Sequence, residues 1–317
     1  MKRIFFILVL LVLWLQPVFA RTVLDSPYSN LGATQYKGQL HAHANNGGGV
    51  DTPAVMVTAY RDIGYNFICL TGHDVITADP EVSGITYILG EEKTATEGHL
   101  GRINVAAHVD ANGAQDGINA TEPDGIARPN HPSRSDMWTD AELATISGYK
   151  AIEIYNANGD DEAMEKWDLV LGLNQVVYGM ADDDCHDIAG ALFNKGWVMA
   201  FADSNTLSNI MTALRAGKYY ASTGADITSI TVSGATITIV LPVASTVTWI
   251  KTGGATAETD TNVTTASYTA VGNEVYVRAN IVEFGDATDR AWINPSYITT
   301  SAGIEIKGVT LTGVRFD

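Results

Sequence analysis

Basic side chains are scarce in this sequence: 19 Lys and Arg stand against 36 Asp and Glu, a formal charge of −17. So acidic a chain offers no broad basic face, and general nucleic-acid binding is not expected of it. Cysteine is scarcer still. Cys69 and Cys185 are the whole supply, so at most one disulfide can form. Each adjoins a histidine motif at the end of a separate strand-like run. Both are expected as unpaired thiols, and Cys185 as packing rather than as a ligand, because on a strand it points away from the face its neighbours share. Apolar runs of spanning length are absent throughout, which excludes a membrane span once the first 20 residues are removed. Repeats with a period of about 20–50 residues are also absent, as are low-complexity tracts.

The first 20 residues stand apart from the fold. Lys2 and Arg3 precede an apolar run over 4–15, and Val18-Phe19-Ala20 supplies a small-residue cleavage pattern. This is the layout of a secretory signal peptide, cleaved after Ala20. A periplasmic or extracellular location follows as the expectation. The remainder is long enough for one large domain and a small one.

From 36 to 224, short apolar runs alternate with helix-like segments. Strands are expected at 36–43, 65–70, 85–92, 102–107, 151–155, 175–181 and 197–201. Helices are expected at 52–63, 140–146, 161–173 and 207–216, the first with Thr52 as N-cap, Pro53 at its first position and Gly64 at its end. Repeating strand–helix units predict an α/β fold with a parallel sheet, and so many of them before any break favour closure into a barrel. The character changes near Gly224. Beyond it Thr, Val, Ile and Tyr alternate with period two, which predicts a small antiparallel β-sandwich. That region has no His or Cys, and no chemistry is assigned to it. The expected division is a signal peptide at 1–20, a catalytic domain at 21–224, a β-sandwich at 225–299 and a hairpin or tail at 300–317.

Six of the seven histidines fall in metal-ligand motifs, several of them at the ends of expected strands. These are His41-Ala42-His43, Gly72-His73-Asp74, Gly98-His99 following Gly90-Glu91-Glu92, Asn130-His131-Pro132, and Asp184-Cys185-His186. His108 fits no motif and is expected to be structural or exposed. Residues two apart on a strand project to one side, so both imidazoles of His41-x-His43 can reach one cation, and Asp184-x-His186 repeats the spacing. Imidazole and carboxylate together are the ligand set of zinc, manganese or iron. Strand C-terminal ends are where barrels of this class place their chemistry.

Taken together, these motifs resemble the polymerase and histidinol phosphatase (PHP) family of metallohydrolases over about residues 36–224. The stretch from Ala213 to Gly224 resembles the domain end of exported members. Val277-Arg278 and Ala291–Pro295 resemble their appended β domain; carbaryl-hydrolase-like proteins belong to this exported subgroup. The resemblance implies a distorted (β/α)7 barrel holding two or three divalent metals. It implies that His41, His43, Glu92 and Asp184 hold one metal and the water it activates. Glu92 would bridge to a second, also bound by His99 and His131, and His73 and His186 would hold a third. Glu91 competes with Glu92; Glu92 is preferred because the family's Glu commonly falls two residues after the Gly. Where the family usually adds a ligand shortly after HxH, this chain has Asn45-Asn46-Gly47-Gly48-Gly49. Asn46 or Asp51 would have to serve, or the third site keeps two protein ligands.

Two such metals would activate water and stabilise charge on a phosphoryl group. The leading expectation is therefore a phosphoesterase acting on a small phosphate ester. A metal-dependent carbamate or carboxylic ester hydrolase, and a non-catalytic metal-containing binding protein, are the alternatives. Arg134, Arg128 and Lys195 are the basic residues nearest the motifs, and one of them is expected to anchor the phosphate. Asp74 is a candidate to orient a ligand histidine. Glu153 and Tyr155 either do the same or pack.

Overall fold

The computed structural model describes residues 21–301, apart from 33, 111, 135–136 and 160. The expected signal peptide and residues 302–317 of the expected tail lie outside the described residues. The N-terminal unit runs β1 (Arg21–Asp25), β2 (Thr34–Ala42), α1 (Pro53–Asp62), β3 (Phe67–Leu70), β4 (Thr86–Thr94) and β5 (His99–Ile103). It continues with α2 (Ala114–Asn119), β6 (Ile126–Pro129), α3 (Asp140–Thr145), β7 (Ala151–Asn156), β8 (Asp161–Glu162) and α4 (Met164–Gly172). It ends with β9 (Tyr178–Asp182), β10 (Trp197–Ala202), α5 (Leu207–Arg215) and β11 (Tyr219–Ser222). The β region adds β12 (Ser229–Ser233), β13 (Thr236–Lys251), β14 (Ala255–Thr269), β15 (Tyr276–Glu283) and β16 (Arg290–Ser301).

Local chemistry accounts for several boundaries. Thr52 Oγ1 accepts from Val55 N at 3.4 Å, Pro53 opens α1, and Gly64 leaves it with φ +92°. Met56, Val57 and Tyr60 share the buried face of α1. The strands β3 and β6 are buried along their whole length, as strands covered on both faces must be.

The molecule is α/β, but the strand order departs from an all-parallel barrel. One sheet runs β12-β13-β15-β16-β11-β10-β2-β3-β4-β5-β6, with β1 on β16 and β14 on β13; β8-β7-β9 forms a second. Among the described residues, the parallel ladders are β2-β3-β4 and β7-β9, with isolated parallel bridges at Ala42–Cys185 and His73–Glu92. The pairs β4-β5 and β5-β6 are antiparallel. For β4-β5 the reason is length: residues 95–98 cannot make the crossover of a dozen or more residues that a parallel pair requires.

The expected closed (β/α)7 barrel is also not what the described ladders show. The edge of β6 meets the entry to β7 through Lys150 N donating to Ala127 O at 3.0 Å. The exit of β9 meets β2 through Asp184 N to His41 O at 3.0 Å and His43 N to Cys185 O at 2.8 Å. These are point contacts, and no ladder closes the ring among the described residues.

The β region likewise does not stand apart as a separate sandwich. The β11–β16 pairing makes it continuous with the N-terminal sheet. A register break between Val240 and Ser245 lets β13 pair with β12 before it and with β15 after it. Ile237, Ile239, Trp249 and Ile281 fill the core beneath, each contributing roughly 1.5–3 kcal/mol by burial. The strand β16 runs to Ser301, so the expected boundary at 299–300 falls inside a strand.

A polar rivet also ties the two parts together. Arg278 on β15 grips Asp168 on α4 through Nε at 2.9 Å and Nη2 at 2.6 Å, and Tyr276 OH adds 2.8 Å to the same carboxylate. The guanidinium lies 4.8 Å from the Trp167 ring. Asp168→Ala would leave a buried cation without its carboxylate. We expect a loss of about 3–5 kcal/mol in urea unfolding; a loss below about 1 kcal/mol, as for an exposed pair, would show that the rivet is not needed.

Candidate metal centre

The motif histidines meet at one place. His41 and His43 leave the end of β2 on the same side, both fully buried. Glu92 on β4 lies at their centre. Its Oε1 is 3.2 Å from His41 Nε2, 3.2 Å from His99 Nδ1 and 3.0 Å from His131 Nε2. Its Oε2 is 3.4 Å from His43 Nε2 and 3.2 Å from His73 Nδ1. Asp184 Oδ1 is 3.4 Å from His41 Nε2 and 3.1 Å from His43 Nε2. His186 stacks on His43 with ring centres 4.1 Å apart. His73, His99 and His186 are 39%, 25% and 32% exposed and line the mouth, while His41, His43, Glu92, His131 and Asp184 lie buried beneath them. The cavity above them holds about 270 Å3 and is walled also by Arg134, Met137 and Asn158.

Backbone conformation delivers these groups. His131 and Asp184 have φ of +32° and +49°, outside the strand region, so each leaves its ladder just where its side chain must turn inward. The loop 44–51 folds over the mouth. Gly47 O lies 3.0 Å from His43 Nδ1, and Gly48, at φ +108°, approaches so closely that a Cβ would lie 2.8 Å from His73 Cδ2.

Four overlapping groups have ligand atoms within 4.8 Å of one another: His43-His73-His186, His41-His43-Glu92, His41-His131-Asp184 and His73-Glu92-His99. Buried without a hydrogen-bond partner are His41 Nε2, His43 Nε2, Glu92 Oε2, His99 Nδ1 and His131 Nδ1. Each such atom costs roughly 1–3 kcal/mol if nothing else satisfies it. Lone pairs of this kind are what a divalent cation binds. The residues therefore fit the implied metals. The overlap leaves the division of ligands among cations open: His131 groups with His41 and Asp184 as well as approaching Glu92.

Several sequence expectations need correction. Glu91 points away from the site, to Arg102 and to His108 Nδ1 at 2.7 Å, because neighbouring strand residues alternate in direction. His108 is thus the partner of a buried carboxylate. Arg128 is fully buried, held by Asp182 and Leu40 O, and cannot meet a substrate. Lys195 is exposed and does not line the cavity. Only Arg134 of the three faces it, with Nη1 3.4 Å from Asp184 Oδ2. Asn46 bonds Thr77, and Asp51 accepts from Ile188 N at 2.9 Å, so neither serves as a further ligand. Asp74 accepts from Thr94 N at 2.9 Å rather than orienting a histidine. Glu153 does orient one: its Oε1 lies 2.8 Å from His41 Nδ1. Tyr155 stacks on Trp292. Both cysteines are buried free thiols. Sequence reasoning missed Asn156 and Asn158, which donate to Asp184 Oδ2 at 3.4 and 3.3 Å. No spacing signal marks them.

No protein-family model matches the sequence, and no curated protein matches it. Solved structures do. A two-domain protein of Bacteroides vulgatus ATCC 8482, described as containing a predicted PHP-like metal-dependent phosphoesterase, superposes with a TM-score of 0.50 at 18% identity. The match covers 87% of this chain and 98% of that one. The chain has a PHP-like fold. Endonuclease Q of Pyrococcus furiosus, a lesion-specific endonuclease, is similar over 57% of this chain and 56% of its own, at 14% identity and a TM-score of 0.44. Another structure of endonuclease Q, with TM-score 0.44, 14% identity and 57% of each chain covered, holds a 27-mer duplex with an abasic lesion at its active site. The expectation that broad nucleic-acid binding is excluded does not stand on charge alone. Net charge describes a whole chain, not the field at one face. Among the described residues, no helix is long and apolar enough to cross a membrane.

Electrostatics set the condition for loading the candidate centre. Burial alone would push the His41 imidazole down, but the carboxylates of Asp184, Glu153 and Glu92 outweigh it and raise it well above the usual range. Burial pushes His73 and His186 down, which keeps their lone pairs free. The raised His41 imidazole holds its proton more tightly than a free histidine, and a cation must displace that proton. We expect metal affinity to rise with pH toward that raised value, with at least one proton released per chain. Calorimetry in buffers of different ionisation enthalpy checks this; equal heats would count against it.

Proposed function

We propose that the chain is an exported metal-dependent hydrolase, and specifically a phosphoesterase. The observation that carries this reading is the convergence of six histidines, Glu92 and Asp184 on one cavity, with five of their buried ligand atoms unpartnered. The PHP-like fold supports it, and the Lys2-Arg3 start with its short apolar run supports export.

His41, His43, Glu92, His131 and Asp184 would hold cations at the floor, and His73, His99 and His186 would complete the set at the rim. Bound zinc, manganese or iron would supply an activated water and stabilise charge on the phosphoryl oxygens. The chain's own groups supply the rest. Glu153 fixes His41 through Nδ1 and so presents Nε2 to the site. Asn156, Asn158 and Arg134 occupy Asp184 Oδ2 and leave Oδ1 facing His41 and His43. Arg134, partly exposed on the cavity wall, is placed to meet an anionic substrate oxygen. Met137 gives the same wall an apolar patch.

A second reading is favoured by one observation: among the described residues, Arg134 is the single Lys or Arg lining the cavity. So thin a phosphate clamp also suits a neutral carbamate or carboxylic ester. Reconstituted with manganese or zinc, the protein is expected to hydrolyse aryl phosphomono- or diesters in preference to aryl acetates and carbamates. The reverse preference would select the second reading. Glu92→Gln is expected to lower kcat by more than about 100-fold, beyond the 10–100-fold typical of residues that only support a ligand. Retained turnover in that variant would remove Glu92 from the site.

A further inference from the structure

Arg128 lies in β6 and Asn130 just past its end, two positions apart, so their side chains project to one face. Both are fully buried. Arg128 Nε donates to Asn130 Oδ1 at 2.9 Å, and Asn130 Nδ2 donates to Glu92 Oε1 at 2.9 Å. A guanidinium nitrogen only donates. The Asn130 oxygen must therefore face Arg128, and its NH2 must face Glu92.

The rest of the guanidinium is engaged beneath the site. It meets Asp182, Leu40 O at 3.1 Å and, at 3.6 Å, Glu153 Oε1. Glu153 in turn lies 2.8 Å from His41 Nδ1 and accepts from His131 N at 2.6 Å. One buried cation thus contacts the partner of Glu92 and the partner of His41, while touching neither itself.

Gly101 on β5 provides an independent sign that the arrangement is built. A Cβ there would lie 2.6 Å from Asn130 Oδ1 and 2.9 Å from Arg128 Nε. The Arg–Asn bond fits because the strand beside it has no side chain at that point.

We propose that Arg128 and Asn130 are positioning residues that lock the rotation of the Glu92 carboxylate. With Oε1 held by the amide, Oε2 faces His43 and His73 while Oε1 faces His41, His99 and His131. The two oxygens then serve different imidazole sets, which is what a carboxylate shared between two cations needs. Without Asn130, the last torsion of Glu92, of a kind that is intrinsically broad, loses the amide that fixes Oε1 and is held by the imidazoles alone. This rests on the metal-dependent reading above.

The test uses the full chain and cobalt(II), with stoichiometry and affinity from calorimetry and ligand geometry from the visible spectrum. Asn130→Ala is expected to bind at least one cobalt about 10–100-fold more weakly and to change the visible bands. Gly101→Ala, which leaves every polar group in place, is expected to shift both readouts in the same direction. Circular dichroism confirms that each variant is folded; if Gly101→Ala is not, Asn130→Ala decides alone. Unchanged affinity, stoichiometry and spectrum in the folded variants would overturn the relay and leave the metal reading standing. Failure of the parent protein to bind cobalt would overturn both.

Discussion

The carboxylate of Glu92 is the constraint on which the site is organised. It is almost wholly buried, and it lies within 3.4 Å of nitrogens from His41, His43, His73, His99 and His131. An isolated carboxylate there would be far too costly to keep ionised. The surrounding imidazoles and the Asn130 amide offset that cost: burial would push Glu92 up, but His41 and the bonds from His131, His41 and His99 hold it well below the usual carboxylate range. A negative centre ringed by imidazoles, several with unused lone pairs, is suited to cations and to little else.

The irregularities of the sheet follow from that demand. Five separate chain segments must bring side chains to one point, and an unbroken barrel ladder would hold them on its pleat. The ladder gives way where they converge. His131 and Asp184 take positive φ values, and the backbone pairing that joins the end of β9 to β2 shrinks to two hydrogen bonds. Glycine appears where backbone or side chains must come closest: Gly48 over His73, and Gly101 over the Arg128–Asn130 bond. Three consecutive acids show how finely direction is set. Asp182 turns to Arg128, Asp183 to Tyr60 and the amides of residues 194–196, and Asp184 to the histidines.

Among the described residues, the β region places no side chain in the candidate metal groups, yet it is not a detached passenger. Its strand β16 extends the N-terminal sheet through β11, and Arg278 anchors it to α4. Asn294 on β16 accepts from Gly179 N at 2.8 Å and donates to the carbonyls of Gly217 and Tyr219 at 3.0 Å each. The region thereby braces β9, whose far end carries Asp184.

The sequence by itself determined the α/β character, the change near Gly224 and the set of histidines that gather. Period-two spacing makes His41 and His43 share a face whatever surrounds them, and Thr52-Pro53 with Gly64 bounds α1 by local chemistry alone. Tertiary structure decided what depends on partners distant in the chain. Glu92 rather than Glu91 faces inward because β4 pairs with β5 in one register, and a slip of one residue would exchange them. Arg128 belongs to the interior because Asp182, Leu40 and Asn130 enclose it, which no local pattern encodes. Antiparallel pairing at β4-β5-β6, the open ring and the fusion of the β region into one sheet arise in the same way. Hydrophobic spacing states which face a side chain takes, but only the assembled neighbours state what that face meets.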